Sequence, residues 1–194
     1  MKSSAVFLDR DGVINPDPGY INDPDNLQPY SFTAKAIRNF NLMNLKVIVV
    51  TNQSGIARGL MTIDQMNAIH QKLIDVLADD QAYIDRIYFS PYHIDGHVAP
   101  YNIQHIDRKP DLGMFIKACS DFNLDPRTSF MIGDRMSDMV FAYRAKLVPI
   151  LVMTGDGKKD LLLRFSQHPE YAPAFVAQDL LAASLLIKLL RKDL

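Results

Sequence analysis

Ala5-Val6-Phe7-Leu8-Asp9-Arg10-Asp11-Gly12-Val13 is the stretch on which the fold turns. Its first four residues are apolar without alternation, the pattern of a strand buried on both faces in a parallel sheet. The strand delivers two aspartates, two positions apart, onto a turn ending in glycine. Residues i and i+2 of an extended chain point the same way, so Asp9 and Asp11 converge on one point. Carboxylates beside an apolar strand are costly unless a cation or a set of donors compensates them. Two convergent carboxylates at a strand end therefore suit a Mg2+ site, and a nucleophile with its acid/base partner. The plainer alternative is an Asp-Gly turn that closes the strand.

Outward from this point the chain alternates. Apolar runs at 4–8, 46–50, 84–89, 129–132 and 148–152, and a weaker one at 174–176, read as strands. Helical periodicity occupies 32–44, 63–79, 112–122, 136–145, 158–166 and 179–191. Thr62 with Gln65 makes a capping box for the second helix, and Pro110 with Asp111 suits the start of the third. The leucine-rich last helix ends on Lys188, Arg191 and Lys192, cations that favour a helix C-terminus. Strand–helix alternation predicts an α/β fold: a doubly wound, Rossmann-like parallel sheet with helices on both faces. Ligands then bind beyond the carboxyl ends of the strands, where loops 12–31 and 90–110 belong. No repeat or linker divides the chain, so 1–194 is expected to form a single domain.

Composition narrows the class. The 194 residues are 48% hydrophobic and carry a net charge of −1, which provides no electrostatic footprint for nucleic acid or an anionic membrane. One cysteine, Cys119, cannot close an intramolecular disulfide, which fits a reducing cytoplasm. Neither a signal peptide nor a membrane-spanning apolar run is visible. The expectation is a cytoplasmic, monomeric protein acting on a small molecule, with no nucleic-acid or membrane partner.

Three further strand ends or loops carry chemistry. Lys46-Val47-Ile48-Val49-Val50 runs into Thr51-Asn52-Gln53-Ser54-Gly55, where a hydroxyl and backbone amides could hold phosphate oxygens or simply end the strand. Ser129-Phe130-Met131-Ile132 runs into Gly133-Asp134-Arg135-Met136-Ser137-Asp138, an acidic pair four apart that could ligate or cap. Arg108-Lys109-Pro110-Asp111 places two cations before a helix.

Taken together and in order, these segments resemble the four motifs of the haloacid dehalogenase (HAD) superfamily of phosphohydrolases: Asp9-x-Asp11, Thr51, Lys109, and Gly133-Asp134-x-x-x-Asp138. The resemblance implies a HAD-like fold and a two-step phosphoryl transfer. Asp9 would be the nucleophile, forming an aspartyl-phosphate, and Asp11 the general acid and base. Mg2+ would be held by Asp9, Asp134 and the backbone carbonyl of Asp11. Thr51, Lys109 and the amides of Arg10 and Asp11 would bind phosphoryl oxygens, with Asp138 orienting Lys109 or a metal-bound water.

A finer resemblance covers Asp9-Arg10-Asp11-Gly12-Val13-Ile14-Asn15, Gly19-Tyr20-Ile21, Thr51-Asn52-Gln53-Ser54-Gly55-Ile56-Ala57-Arg58-Gly59 and Arg108-Lys109-Pro110. These look like the branch of D-glycero-D-manno-heptose 1,7-bisphosphate and histidinol-phosphate phosphatases, which lack a large cap domain. Loops 12–31, 52–60 and 90–110 would shape the pocket. Asn52 and Gln53 would reach substrate hydroxyls, and Arg58 and Arg108 a second phosphate, on a sugar bisphosphate substrate. A heptose role would place the enzyme in the supply of bacterial surface polysaccharide precursors such as those of lipopolysaccharide. Histidinol phosphate, another small metabolite, a nucleic-acid 3′ end, or a non-catalytic binding role remain the alternatives.

One departure stands out. The branch carries zinc in its third loop on a Cys-x-His and a Cys-x-Cys pair, whereas here the corresponding residues are Ser90, Tyr92, His105 and Asp107. No thiolate site can form from these, so zinc is not expected, and packing of Tyr88, Phe89, Tyr92 and Tyr101 would hold the loop. A His/Asp set from His93, His97, His105 and Asp107 stays open. His70 and His168 have no partner that the sequence names.

Overall fold

The computed structural model describes residues 2–191; Met1 and residues 192–194, among them Lys192 of the expected basic helix end, lie outside the described residues. Six strands form one sheet: β1 (Ala5–Leu8), β2 (Lys46–Asn52), β3 (Arg86–Ser90), β4 (Phe130–Gly133), β5 (Val148–Val152) and β6 (Phe175–Ala177). Their order is β3-β2-β1-β4-β5-β6 and every neighbouring pair is parallel. This is the expected doubly wound α/β sheet.

Helices α1 (Thr33–Leu42), α2 (Ile63–Asp79), α3 (Gly113–Phe122), α4 (Met136–Ala145), α5 (Gly157–Leu163) and α6 (Leu180–Leu190) complete the alternation. Side chains of successive strand residues point to opposite faces. Val6, Leu8, Val47, Val49, Phe130 and Ile132 thus pack with α1, α2 and α6, whereas Ala5, Phe7, Ile48, Val50 and Met131 pack with α3 and α4. With both faces covered, the strands have no polar side, which is why their sequences read as unbroken apolar runs. Among the described residues, no helix is long and apolar enough to cross a membrane.

Most element ends shift by one to three residues from the sequence expectation, and two of the differences bear on the site. Pairing with β3 out to Ser90 carries β2 through Thr51 and Asn52, which the apolar pattern leaves outside the strand. Helix α3 begins at Gly113 after Leu112, not at Pro110 and Asp111; Asp111 instead accepts a bond from Arg144 of α4 at 2.8 Å. The capping box of α2 is present, with Thr62 and Gln65 exchanging bonds of 2.8 and 3.1 Å.

The order of the strands positions the site. β1 lies between β2, which leads to one edge, and β4, which leads to the other. The crevice where winding reverses opens at the carboxyl ends of these strands. Leu8 is level with Val49 and with Ile132, so Asp9, Thr51 and Asp134 leave the sheet at nearly one height.

Candidate active site

A cleft of about 340 Å³ lies at this crevice, lined by Asp9, Asp11, Thr51, Asn52, Gln53, Arg108 and Lys109, with Asp17, Gly19, Tyr20, Ser54, Arg135 and Ser137 around them. Of the ten candidate residues from the sequence, seven line it directly. Asp134 and Asp138 lie buried at its base, with carboxylate oxygens of Asp9, Asp134 and Asp138 within 4.8 Å of one another. Arg58 is not on the wall; its Nη2 sits 3.5 Å from both ring nitrogens of His93.

Lys109 is the cation among these acids. Its Nζ lies 3.1 Å from Asp9 Oδ1 and 2.7 Å from Asp138 Oδ1. Burial alone would discharge the ammonium, but Asp138 and Asp9 outweigh it and raise its pKa. One ammonium does not balance three carboxylates. Burial, opposed by Lys109 and reinforced by Asp138 and Asp11, pushes Asp9 up to about 6. Burial with the charges of Asp138 and Asp9 pushes Asp134 up to about 8. Asp134 Oδ2 accepts from the amide of Asp156 at 2.8 Å, whereas Oδ1 is buried with no hydrogen-bond partner. An unpartnered buried oxygen amid excess negative charge fits a small divalent cation with oxygen ligands.

The cradle of Asp134 is built from glycines. Gly12 (φ +85°) and Gly155 (φ +55°) approach its carboxylate so closely that a Cβ on either would strike it. Thr154 Oγ1 donates to the carbonyl of Gly12 at 2.6 Å, tying the β5–α5 turn to the first loop. Thr154 and Gly155 escape the sequence reading because they carry no charged group; only their short distance past a strand end marks them.

Asp11 has a different environment from Asp9. Arg10 grips it with two bonds of 3.0 Å, Asn15 donates at 2.9 Å and Gln53 at 2.7 Å. Burial favours the neutral acid, but the Arg10 charge and these hydrogen bonds outweigh it and hold the carboxyl below its usual range.

Several residues serve the site in ways the sequence does not suggest. Gln53 spends its amide hydrogens on Asp11 and, at 2.9 Å, on Thr51 Oγ1. Asn52 exchanges two bonds with the backbone of Lys109, at 2.9 and 3.0 Å, and so clamps the lysine loop rather than standing free for a hydroxyl. The amide of Arg10 donates to Asp9 Oδ1 at 2.7 Å. Arg135 pairs with Asp17 at 2.6 Å and Asp156 at 3.2 Å, joining loop 12–31 to the turns after β4 and β5.

In the third loop, the ring of Tyr92 stacks on His105 at 3.8 Å and tilts against Tyr101 at 5.8 Å. Asp107 takes the ammonium of Lys117 at 2.6 Å, with His105 Nδ1 at 3.5 Å. Ser90 is buried at the end of β3. Among the described residues, Asp9, Asp134 and Asp138 are the one group of three acidic, histidine or cysteine side chains close enough to share an ion.

A family model described as HAD-hydrolase-like matches residues 106–183. The chain is 41% identical to the D-glycero-beta-D-manno-heptose-1,7-bisphosphate 7-phosphatase of Yersinia pestis over 152 residues, 78% of this chain and 81% of that one. It is 39% identical to the D-glycero-D-manno-heptose-1,7-bisphosphate 7-phosphatase of Thermosynechococcus vestitus over 187 residues, 94% of both chains. Among solved structures, the D,D-heptose 1,7-bisphosphate phosphatase of B. bronchiseptica, complexed with magnesium and phosphate, matches with a TM-score of 0.82 and 31% identity, covering 97% of this chain and 99% of that one.

Proposed function

This chain belongs to the D-glycero-D-manno-heptose-1,7-bisphosphate 7-phosphatase family of HAD-like hydrolases, and from that membership we propose a Mg2+-dependent phosphatase that removes the 7-phosphate of the heptose bisphosphate. The observation that carries the reading is the meeting of Asp9, Lys109 and Asp134 at the crevice between β1 and β4. A phosphoryl group there would face a carboxylate nucleophile, a cation and a ligand set for a metal.

Asp9 Oδ1 accepts from Lys109 and the Arg10 amide, which holds the attacking carboxylate in place. As the Asp9–phosphorus bond forms, the phosphorus–alcohol bond breaks, and the leaving oxygen takes a proton from Asp11. Water then attacks the aspartyl-phosphate and gives its proton to Asp11, releasing inorganic phosphate and restoring Asp9. The gripped, ionised Asp11 is ready for the second step. For the first, the incoming phosphoryl charge raises its pKa toward protonation.

Asp9, Asp134 and the backbone carbonyl of Asp11 would hold Mg2+, which supplies positive charge against the phosphoryl oxygens. Lys109 and Thr51 would bind the remaining oxygens, while Asp138 holds Lys109 in place. Burial and the neighbouring Arg58 lower the pKa of Arg108, a sign of adjacent cations short of anionic partners. That pair suits the second phosphate, with Arg108 on the wall and Arg58 behind it.

Phosphate release from a panel, with Mg2+ or EDTA, tests this function. The panel holds both anomers of the heptose 1,7-bisphosphate, a hexose bisphosphate, histidinol phosphate and a 3′-phosphorylated oligonucleotide. Mg2+-dependent turnover that favours a heptose anomer is the expected result. Preference for another member, or turnover unaffected by EDTA, would overturn it.

A further inference from the structure

Among the buried titratable side chains of the described residues that the chemistry above does not use is His70. It lies on α2 one turn beyond Met66, and both side chains face Arg10. Arg10 is wholly sealed from solvent. At one end, its guanidinium makes the two parallel bonds to Asp11. At the other, Nη1 lies 3.1 Å from Met66 Sδ and 3.3 Å from His70 Nε2.

A guanidinium has donors only, so Nε2 of His70 must present its lone pair, with the ring proton on Nδ1. The surroundings enforce that neutral form: burial, then the charge of Arg10, pushes the imidazole pKa down to about 3. Phe89 meets the ring edge-on at a centroid distance of 5.3 Å. Acceptors at both ends thus fix the rotation of the Arg10 plane. With only the Asp11 end held, the guanidinium could pivot and carry the carboxylate with it.

We propose that His70, with Met66 beside it, is a positioning residue for proton transfer, acting through Arg10 to hold Asp11 in place. The proposal rests on Asp11 being the proton-transfer group of the proposed phosphatase. Neither side chain touches the cleft; the effect passes from a rigid helix through one buried cation to the reacting carboxylate.

The test compares two substrates in the full-length enzyme with Mg2+. The sugar phosphate has an alkoxide leaving group that needs a proton, whereas p-nitrophenyl phosphate has one that departs without it. His70→Leu should lower kcat on the sugar phosphate by about tenfold, part of the roughly 10²–10⁴ that general acid–base catalysis contributes, and leave KM and p-nitrophenyl phosphate turnover within about twofold. His70→Gln, whose amide oxygen can accept from Nη1, should restore most of the loss. A merely structural role would depress both substrates alike and gain nothing from glutamine.

An unchanged ratio of the two rates in folded His70→Leu, or equal loss on both, overturns the proposal. Should that variant fail to fold, the volume-conserving Met66→Leu removes the weaker acceptor and should yield the same selective loss at about threefold; no selective loss overturns it there. Asp11→Asn separates the two levels. If it too leaves the ratio unchanged, the reading of Asp11 fails. If Asp11→Asn is selective while His70→Leu is not, only the role of His70 falls.

Discussion

Lys109 and Asp138 form an ion pair at 2.7 Å with side chains 1% and 0% exposed, and the same ammonium lies 3.1 Å from Asp9 Oδ1. Removing Asp138 takes away the shorter of the two ion pairs that hold the buried Lys109 ammonium and leaves Asp9, at 3.1 Å, as its partner. Asp138→Ala should therefore destabilise the fold by about 1–3 kcal/mol, less than a buried charge left wholly unpaired would cost, and lower turnover by loosening Lys109. Chemical denaturation and phosphate release, measured on the same preparation, would check both. A variant as stable as the parent would remove the pair from any structural role.

Asp9→Asn should keep the fold and lose more than about 10³-fold in turnover, because it removes the proposed nucleophile. In the absence of metal the variant should melt no lower than the parent. Burial, then Asp138 and Asp11, disfavour a negative charge at this position and outweigh the opposing pull of Lys109, and the amide has none. Residual activity near that of the parent would eliminate Asp9 as the attacking group.

The acid cluster sets the sign of a pH dependence. Asp9 and Asp134 rise from 3.8 to about 6 and about 8 on folding. Between those limits the folded state binds more protons than the unfolded one, so metal-free stability falls as pH rises from about 4 to 8. Saturating Mg2+ should remove the decline, since it neutralises the same carboxylates. Melting temperature against pH, in EDTA and in Mg2+, tests this; parallel curves would contradict it.

His70 contributes the opposite slope. Its pKa falls from 6.5 to about 3 on folding, so below 6.5 the unfolded state takes up the extra proton and stability drops with pH. His70→Gln cannot titrate. Relative to the parent it should gain stability steadily as pH is lowered from 6.5 toward 3, and show no such trend above 7. A constant offset across the range would be the contrary result.

Gly155 sits at φ +55° with its Cα against the Asp134 carboxylate. Gly155→Ala should weaken Mg2+ binding by about 10–100-fold, because an added methyl would displace the Asp134 carboxylate, and it should lower stability by more than the roughly 1–2 kcal/mol of a left-handed non-glycine residue, since the same methyl would meet the Gly12 backbone. Isothermal calorimetry with Mg2+ and a denaturation curve separate the two effects.

Much of this was legible in the chain itself. The strand Ala5–Leu8 and its partners announce themselves because a strand buried on both faces needs apolar residues throughout, and that is a local property. The helices follow from periodicity in the same way. Asp9, Asp11 and Asp134 stand out because charges placed at the ends of apolar strands have few cheap explanations, whereas Lys109, in a loop before a helix, is marked only by the resemblance of the four motifs taken together. Asn52, Gln53 and Arg58 are the contrast. Their residue types suggest substrate contact, yet two are engaged by Lys109 and by Asp11 with Thr51, and the third lies behind the wall.

What the sequence determined alone was the alternation of elements and the chemistry available at each strand end, since both depend on neighbours within a few residues. Only the tertiary structure decided which ends meet. The order β3-β2-β1-β4-β5-β6 brings Lys109 to Asp9 across a hundred positions and sets Gly155 against Asp134. It also turns a buried arginine toward Met66 and His70 on α2. Such pairings are set by strand order and by the need of each buried charge for a partner, and no local pattern encodes either.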